Sequence, residues 1–260
     1  MAQYFFLGSI LPPLKIGSKV GLFFEDLMEL FRDNMGPSDL EKVVLIRRYI
    51  DLKNVWQLLK KRPLDPRGNL TEKELDEALL NREGLPQYLF DYFEEYESLE
   101  EQLRNYSKVF IQFFKKMDKT QRGFLKFYFG FEREWRLILA GYRSKKLGVD
   151  PAKELQHEDL SDPLVAQILA QKDAPFFEFP FGYEELDEKL KEVIGDPKRQ
   201  YEAMAAFRFN KIAERVQDDP FSIDYILGYF IQLMIVEDGN VLNEKEGNQN
   251  LTEIVKGNNV

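Results

Sequence analysis

The stretch from Ser38 to Arg62 contains neither proline nor glycine, and Pro63 and Pro66 close it. Proline has no amide donor and its ring crowds the preceding turn, so it ends a helix rather than extending it. Inside the stretch Val43, Val44, Ile46, Ile50, Val55, Leu58 and Leu59 recur at the spacing of one helix face. Ser38 and Glu41 have the spacing of a capping box, in which hydroxyl and carboxylate satisfy two of the orphan amides at a helix start. A helix of this length must bury its apolar stripe against other helices, and that requirement sets the class of fold.

The remaining chain agrees with it. Residues 4–11 are apolar and stop at Pro12-Pro13, a run too short for periodicity to separate a strand from a helix turn. A helix is expected from Gly17-Ser18 to about Asp33, with Leu22, Phe23, Leu27, Leu30 and Phe31 on one face. Asp65-Pro-Arg-Gly-Asn69 is a turn cluster, and Thr71 with Glu74 forms a second capping box opening a helix to about Asn81. Helices are expected over about 86–96, 98–117 and 124–146, with a break at Asp118-Lys-Thr-Gln-Arg-Gly123 and a glycine cap at Gly148. Asp150-Pro151, Asp162-Pro163 and Asp196-Pro197 each place an acid before proline; the first two read as caps before a first-turn proline, and a helix follows the third. Pro175–Gly182 reads as an extended apolar connector, followed by helices at about 183–194 and 198–217. Ser222 opens the last long helix, with a kink expected at Gly239-Asn240 and further helix over 246–257.

No sustained strand alternation occurs, so the expected fold is all-α. It is read as two or three similar helical units, a pseudo-three-fold arrangement among the options, with units at 1–66, 67–149 and 150–260 packed as one body. The units are suggested by a recurring helix end. Asn54-Val-Trp-Gln-Leu-Leu-Lys60 and Asn250-Leu-Thr-Glu-Ile-Val-Lys256 match at Asn, three apolar positions and Lys, with an acid upstream in Asp51 or Glu246. The middle segment, Glu134-Trp-Arg-Leu-Ile-Leu-Ala-Gly-Tyr-Arg143, keeps acid, apolar spacing and base but has Leu137 where the others have Asn. In such an end the apolar positions pack inward, the amide bonds to a neighbour and the base suits a helix C-terminus. Acid, apolar spacing and base also describe many amphipathic helices that share no ancestry.

Chemistry is sparse. With no cysteine there is no disulfide, thiol nucleophile or cysteine-bound metal. The formal charge of -9 disfavours binding to phosphate backbones. The one histidine, His157, forms Glu154-x-x-His157, half of a di-iron motif whose second half needs a second histidine; a solvated surface residue is expected. Asp118 to Gly123 begins like a calcium loop, but Phe129 stands where the bidentate acid belongs. Phosphate-binding glycine loops are absent. Paired acids such as Glu94-Glu95, Glu100-Glu101 and Glu184-Glu185 could serve acid–base chemistry, which would require a deep pocket, but they also suit solvated helix faces. Arg143, Lys145 and Lys146 form either a docking patch or a basic helix end. No catalytic residue, cofactor or metal is expected. No apolar run reaches a membrane span, and the start lacks a signal-peptide pattern, so a cytoplasmic location is expected.

Tyr4-Phe-Phe-Leu-Gly-Ser-Ile-Leu-Pro-Pro-Leu14 resembles the opening of a little-characterised bacterial family encoded beside V-type ATPase subunits, in chlamydiae and Bacteroides-like bacteria among others. Tyr49-Ile-Asp-Leu-Lys-Asn-Val-Trp-Gln-Leu-Leu-Lys60 resembles the acid-x-x-Asn-Leu helix ends of the C-type subunits of V-type ATPases, known in eukaryotes as d-type subunits. The resemblance implies an all-helical, three-fold pseudo-repeated funnel without a catalytic site, seated on the membrane rotor ring and receiving the central stalk. It implies that the protein is peripheral on the cytoplasmic face of the membrane. Asp51, Asn54, Arg143, Lys145, Lys146 and Asn250 are the residues expected to pin the units or meet a partner. The alternative is a helical adaptor or scaffold for another cytoplasmic partner.

Overall fold

The computed structural model describes residues 4–18 and 21–241. Among the described residues there are thirteen helices and no strand, so the protein is all-α. Two compact units are present, one combining the chain up to Met35 with the chain from Phe131 onward, the other running from Gly36 to Gly130. The boundary expected at 66/67 lies inside the second unit, and the third copy of the helix end, with Glu246 and Asn250, lies outside the described residues.

The first unit opens with α1 (Phe5–Ile10) and α2 (Phe24–Asn34). Residues 4–11 are thus mostly helical. They are held by a segment distant in sequence: the Tyr4 amide donates to the Phe221 carbonyl at 2.7 Å and the Phe5 ring lies 5.0 Å from that of Phe221. A Cβ at Gly8 would fall 2.4 Å from the Pro220 carbonyl oxygen, so the glycine of the N-terminal signature is required by close packing. The second helix begins later than its periodicity predicts. Gly17 takes a left-handed turn (φ +74°), and the first turn of α2 is instead satisfied by two carboxylates, Asp26 accepting from the Phe23 amide at 3.1 Å and Glu237 from the Phe24 amide at 2.8 Å.

The second unit contains α3 (Pro37–Leu59), α4 (Glu72–Asn81), α5 (Gln87–Glu95), α6 (Leu99–Asn105) and α7 (Ser107–Thr120). Proline at the first position starts α3 from Gly36, so Ser38 lies inside the helix and the box expected from Ser38 and Glu41 does not form. The Thr71–Glu74 box does form, with both reciprocal hydrogen bonds. Such a cap contributes about 1 kcal/mol. On α3 Val43, Ile46, Ile50 and Val55 are buried as their spacing predicts, whereas Val44 is exposed. The single helix expected over 98–117 is interrupted at Tyr106, whose fully buried side chain donates to the Leu52 carbonyl of α3 at 2.7 Å. Its ring and that of Tyr49 join a cluster with Phe110, Phe113 and Phe114 that seals α3 against α7.

Helix α8 (Gly123–Leu147) begins in the second unit and continues into the first, and Gly148 follows it in the left-handed conformation (φ +65°). The first unit is completed by α9 (Pro151–Glu154), α10 (Pro163–Ala170), α11 (Glu184–Glu192), α12 (Pro197–Val216) and α13 (Ile223–Val241). Asp150, Asp162 and Asp196 cap their helices through side-chain hydrogen bonds. The unit is organised on α13, which packs against α12, α2 and α1, with Phe24 and Phe31 of α2 meeting Phe230. Helix α13 includes Gly239-Asn240, where a kink is expected, and is described to Val241; the helix expected over 246–257 lies outside the described residues.

Candidate functional site

The two polar residues singled out at the end of α3 are the most completely buried of their kind: Asp51 is 0% and Asn54 1% exposed. Each faces the 65–70 turn. Asp51 accepts from the Asn69 amide at 2.6 Å, the Leu70 amide at 3.2 Å and the Asn69 side-chain amide at 2.8 Å. Asn54 donates to the Asp65 carbonyl at 2.8 Å and accepts from the Asp65 amide at 2.9 Å, so its side chain pairs with the turn as a strand neighbour would. Gly68 passes directly over both groups; a Cβ there would lie 2.8 Å from Asp51 Oδ1 and 2.9 Å from Asn54 Nδ2. Arg47 closes the far side, donating to the carbonyls of Arg67 at 3.0 Å and Gly68 at 2.5 Å.

Burial raises the Asp51 carboxyl above its ordinary value, against the hydrogen bonds from Asn69 and Leu70 and the charge of Arg48. Asp65 goes the other way: burial opposes its ionisation, but its bond and ion pair with Arg67 at 2.8 Å prevail and hold it low. Every Asp51 oxygen is committed to the turn. The arrangement is a clasp that fixes a loop on a helix. It leaves no acceptor aimed at an open cavity.

The corresponding end of α8 is built differently. Glu134 is exposed and accepts weakly from the Tyr183 hydroxyl at 3.3 Å, while Leu137 is buried. A clasp of the same type as Asn54 appears nearby in a residue no spacing singled out. Gln171, just past α10, donates to the Glu178 carbonyl at 2.9 Å and accepts from the Glu178 amide at 2.7 Å. The only sequence signal for it is an amide residue at the start of a proline-bounded connector.

The basic residues at the end of α8 are engaged within the first unit. Lys145 donates to the Lys172 and Ala174 carbonyls at 2.5 and 2.6 Å. Lys146 donates to the Gln200 side chain at 2.8 Å and lies 5.0 Å above the Tyr142 ring. Arg143 is exposed, with Glu154 as its acidic neighbour. Lys145 and Lys146 therefore tie α8 to the connector and to α12, and of the three Arg143 and Lys146 are exposed.

The paired acids resolve into local roles. Glu94 and Glu95 pair with Arg82 and Lys108 at 2.5 and 2.6 Å, Glu101 caps α6 from Ser98, and Glu184 accepts from the Gly182 amide. His157 is partly buried rather than fully solvated. Asp118, which opens the calcium-like loop, pairs with Lys126 at 3.0 Å across the break between α7 and α8. No group of three or more His, Asp or Glu residues that could hold a metal occurs among the described residues.

Fold and clasp together define an all-helical protein in which the buried side chains of Asp51, Asn54 and Gln171 hold loops on helices. The chain belongs to the family DUF2764, described as a protein of unknown function, which matches residues 1–258. It is similar to an uncharacterized protein of Chlamydia muridarum, 28% identical over 267 residues and covering 99% of both chains. A Chlamydia pneumoniae protein is 27% identical over 98% of both, and one from Chlamydia trachomatis is 27% identical over 99% of both. No solved structure matches the chain at a significant level.

Proposed function

We propose that the protein is a non-catalytic coupling component of a V-type ATPase or ATP synthase, similar to the C-type subunits, joining the central stalk to the membrane rotor ring. The observation that carries this reading is the end of α3. Its acid-x-x-Asn pattern resembles the helix ends of the C-type subunits, and Asp51 and Asn54 are fully buried and spent on holding a turn. Such a body would transmit force through packed helices rather than through a reacting group. Association with the membrane would come through the ATPase complex, since no helix among the described residues is long and apolar enough to cross it.

The test is co-purification. Detergent extracts carrying a tagged copy are expected to yield this chain together with stalk and rotor subunits, and recovery of the ATPase without it overturns the proposal. The adaptor reading has one observation on its side, the division into two compact units where a funnel would have three. In that case the tagged chain comes down with a different, stoichiometric partner.

A further inference from the structure

The corner between α7 and α8 is basic in an acidic chain. From residue 102 to residue 131 there are seven lysines and arginines against one acid, Asp118, while the formal charge of the whole chain is -9. Five of those bases, Lys115, Lys116, Lys119, Arg122 and Lys126, lie within twelve residues, and all five are exposed. Asp118 pairs with Lys126 at 3.0 Å, and the other four bases make no ion pair among the described residues. The Arg122 guanidinium is nonetheless held in place, its Nη1 donating to the Gln121 and Lys119 carbonyls at 2.7 and 3.3 Å.

Helix electrostatics account for only part of this placement. Lys119 stands in the last turn of α7, where a cation suits the helix dipole. Arg122 and Lys126 flank the first turn of α8, which has no acid, and there the dipole opposes them. Cations crowded together without carboxylates repel one another, and an anionic partner relieves that repulsion. The surroundings narrow the kind of anion. Helix α5 packs on α7, and Glu95 reaches Lys108 at 2.6 Å. Residues 71–101, which include α5, hold eleven acids and two bases. Lys108 lies roughly 10 Å along α7 from Lys115 at 1.5 Å per residue, about one Debye length at physiological salt. A nucleic-acid duplex or a charged bilayer extends well beyond that distance and would lie over the acids too, whereas a short acidic segment would not. No large apolar side chain between 102 and 131 is exposed, so the corner offers neither a stacking platform for bases nor a wedge for a bilayer.

We propose that the α7–α8 corner docks an acidic segment of a partner protein, with Lys115, Lys116, Lys119 and Arg122 supplying the contacts. Charge steers this association, so it weakens as salt rises. The surface lies wholly within the second unit. It goes beyond the coupling role, and its test uses no ATPase subunit, so either reading can fail alone.

The probe is a short fluorescein-labelled peptide of alternating Glu and Ser, with a Gln-and-Ser peptide as its neutral counterpart, titrated with the full chain and read by anisotropy. The acidic peptide is expected to bind with a Kd of about 100 µM at low ionic strength and about tenfold more weakly once about 200 mM salt is added, and the neutral peptide is expected not to bind. Lys115→Glu with Lys119→Glu is expected to weaken binding about tenfold or more with unchanged helical circular dichroism. Lys153→Glu with Lys198→Glu makes the same change of net charge on exposed lysines of the first unit and is expected to stay within about twofold of wild type. No binding by the wild type, binding of the neutral peptide, full affinity in the first variant or an equal loss in the second overturns the proposal. Where the first variant loses helicity, Lys115→Gln with Lys116→Gln replaces it, expected to weaken binding about threefold, and unchanged affinity there overturns the proposal as well. Phosphatidylserine vesicles and a DNA duplex are the competing surfaces, and tighter binding of either than of the peptide, lost in the same variant, also overturns it.

Discussion

The ends of α3 and α8 carry the same spacing of acid, apolar positions and base, yet they hold their surroundings by opposite means. At α3 the acid and the residue three later both turn inward, and buried polar groups bind the 65–70 turn. At α8 the acid turns out, Leu137 takes the inward position, and the neighbouring connector is held by aromatic packing on Tyr142 and by Gln171 from outside the helix. A shared one-dimensional pattern therefore does not fix a shared environment. What decides is whether the next segment brings backbone amides or apolar rings to the helix.

Four substitutions break or sharpen this contrast. The largest effect is expected from Asp51→Ala, which strands the Asn69 and Leu70 amides in the interior; a loss of about 3–4 kcal/mol is expected in urea unfolding. Leu137→Asn imposes the α3 residue on α8, where no turn waits to pair with it, and about 3 kcal/mol should be lost by the same measurement. If instead Leu137→Asn is neutral, the two ends are more alike than their packing indicates. Gln171→Ala should cost about 1–2 kcal/mol and speed hydrogen exchange at the Glu178 amide, leaving the Asp65 amide protected. Asp65→Asn is expected to cost about 1 kcal/mol at neutral pH, since its pair with Arg67 is partly exposed. The folded-state value of Asp65 is depressed, so its contribution is present above the ordinary 3.8 and is lost as pH falls through and below it. Wild type and Asp65→Asn should therefore converge in stability in acid titrations.

The helices were legible where a local rule governs them. Thr71 with Glu74 and the three acid–proline starts all formed as their residues prescribe. Most failures came where distant segments decide. Nothing within 98–117 reveals that Tyr106 is drawn onto the Leu52 carbonyl, whereas at Ser38 the competing signal was local, Pro37 being suited to the first helical position. The same holds at the clasp: Asp51 and Asn54 stand out by spacing, but their partners Asp65 and Asn69 are visible in sequence only as turn residues. Lys145 and Lys146 read equally as patch or helix end until their acceptors at 172–174 and Gln200 are in place.

The discontinuity of the first unit has a consequence for biosynthesis. Residues 36–130 have their packing partners as soon as they leave the ribosome, so that unit can close while the rest is still being translated. The opening segment cannot. Tyr4 waits for the Phe221 carbonyl, the Pro12 carbonyl for the Tyr229 hydroxyl, and the first turn of α2 for Glu237. Throughout that interval Leu7, Leu27 and Phe31, all destined for the interior, stay uncovered on the nascent chain, where a holding chaperone would find them.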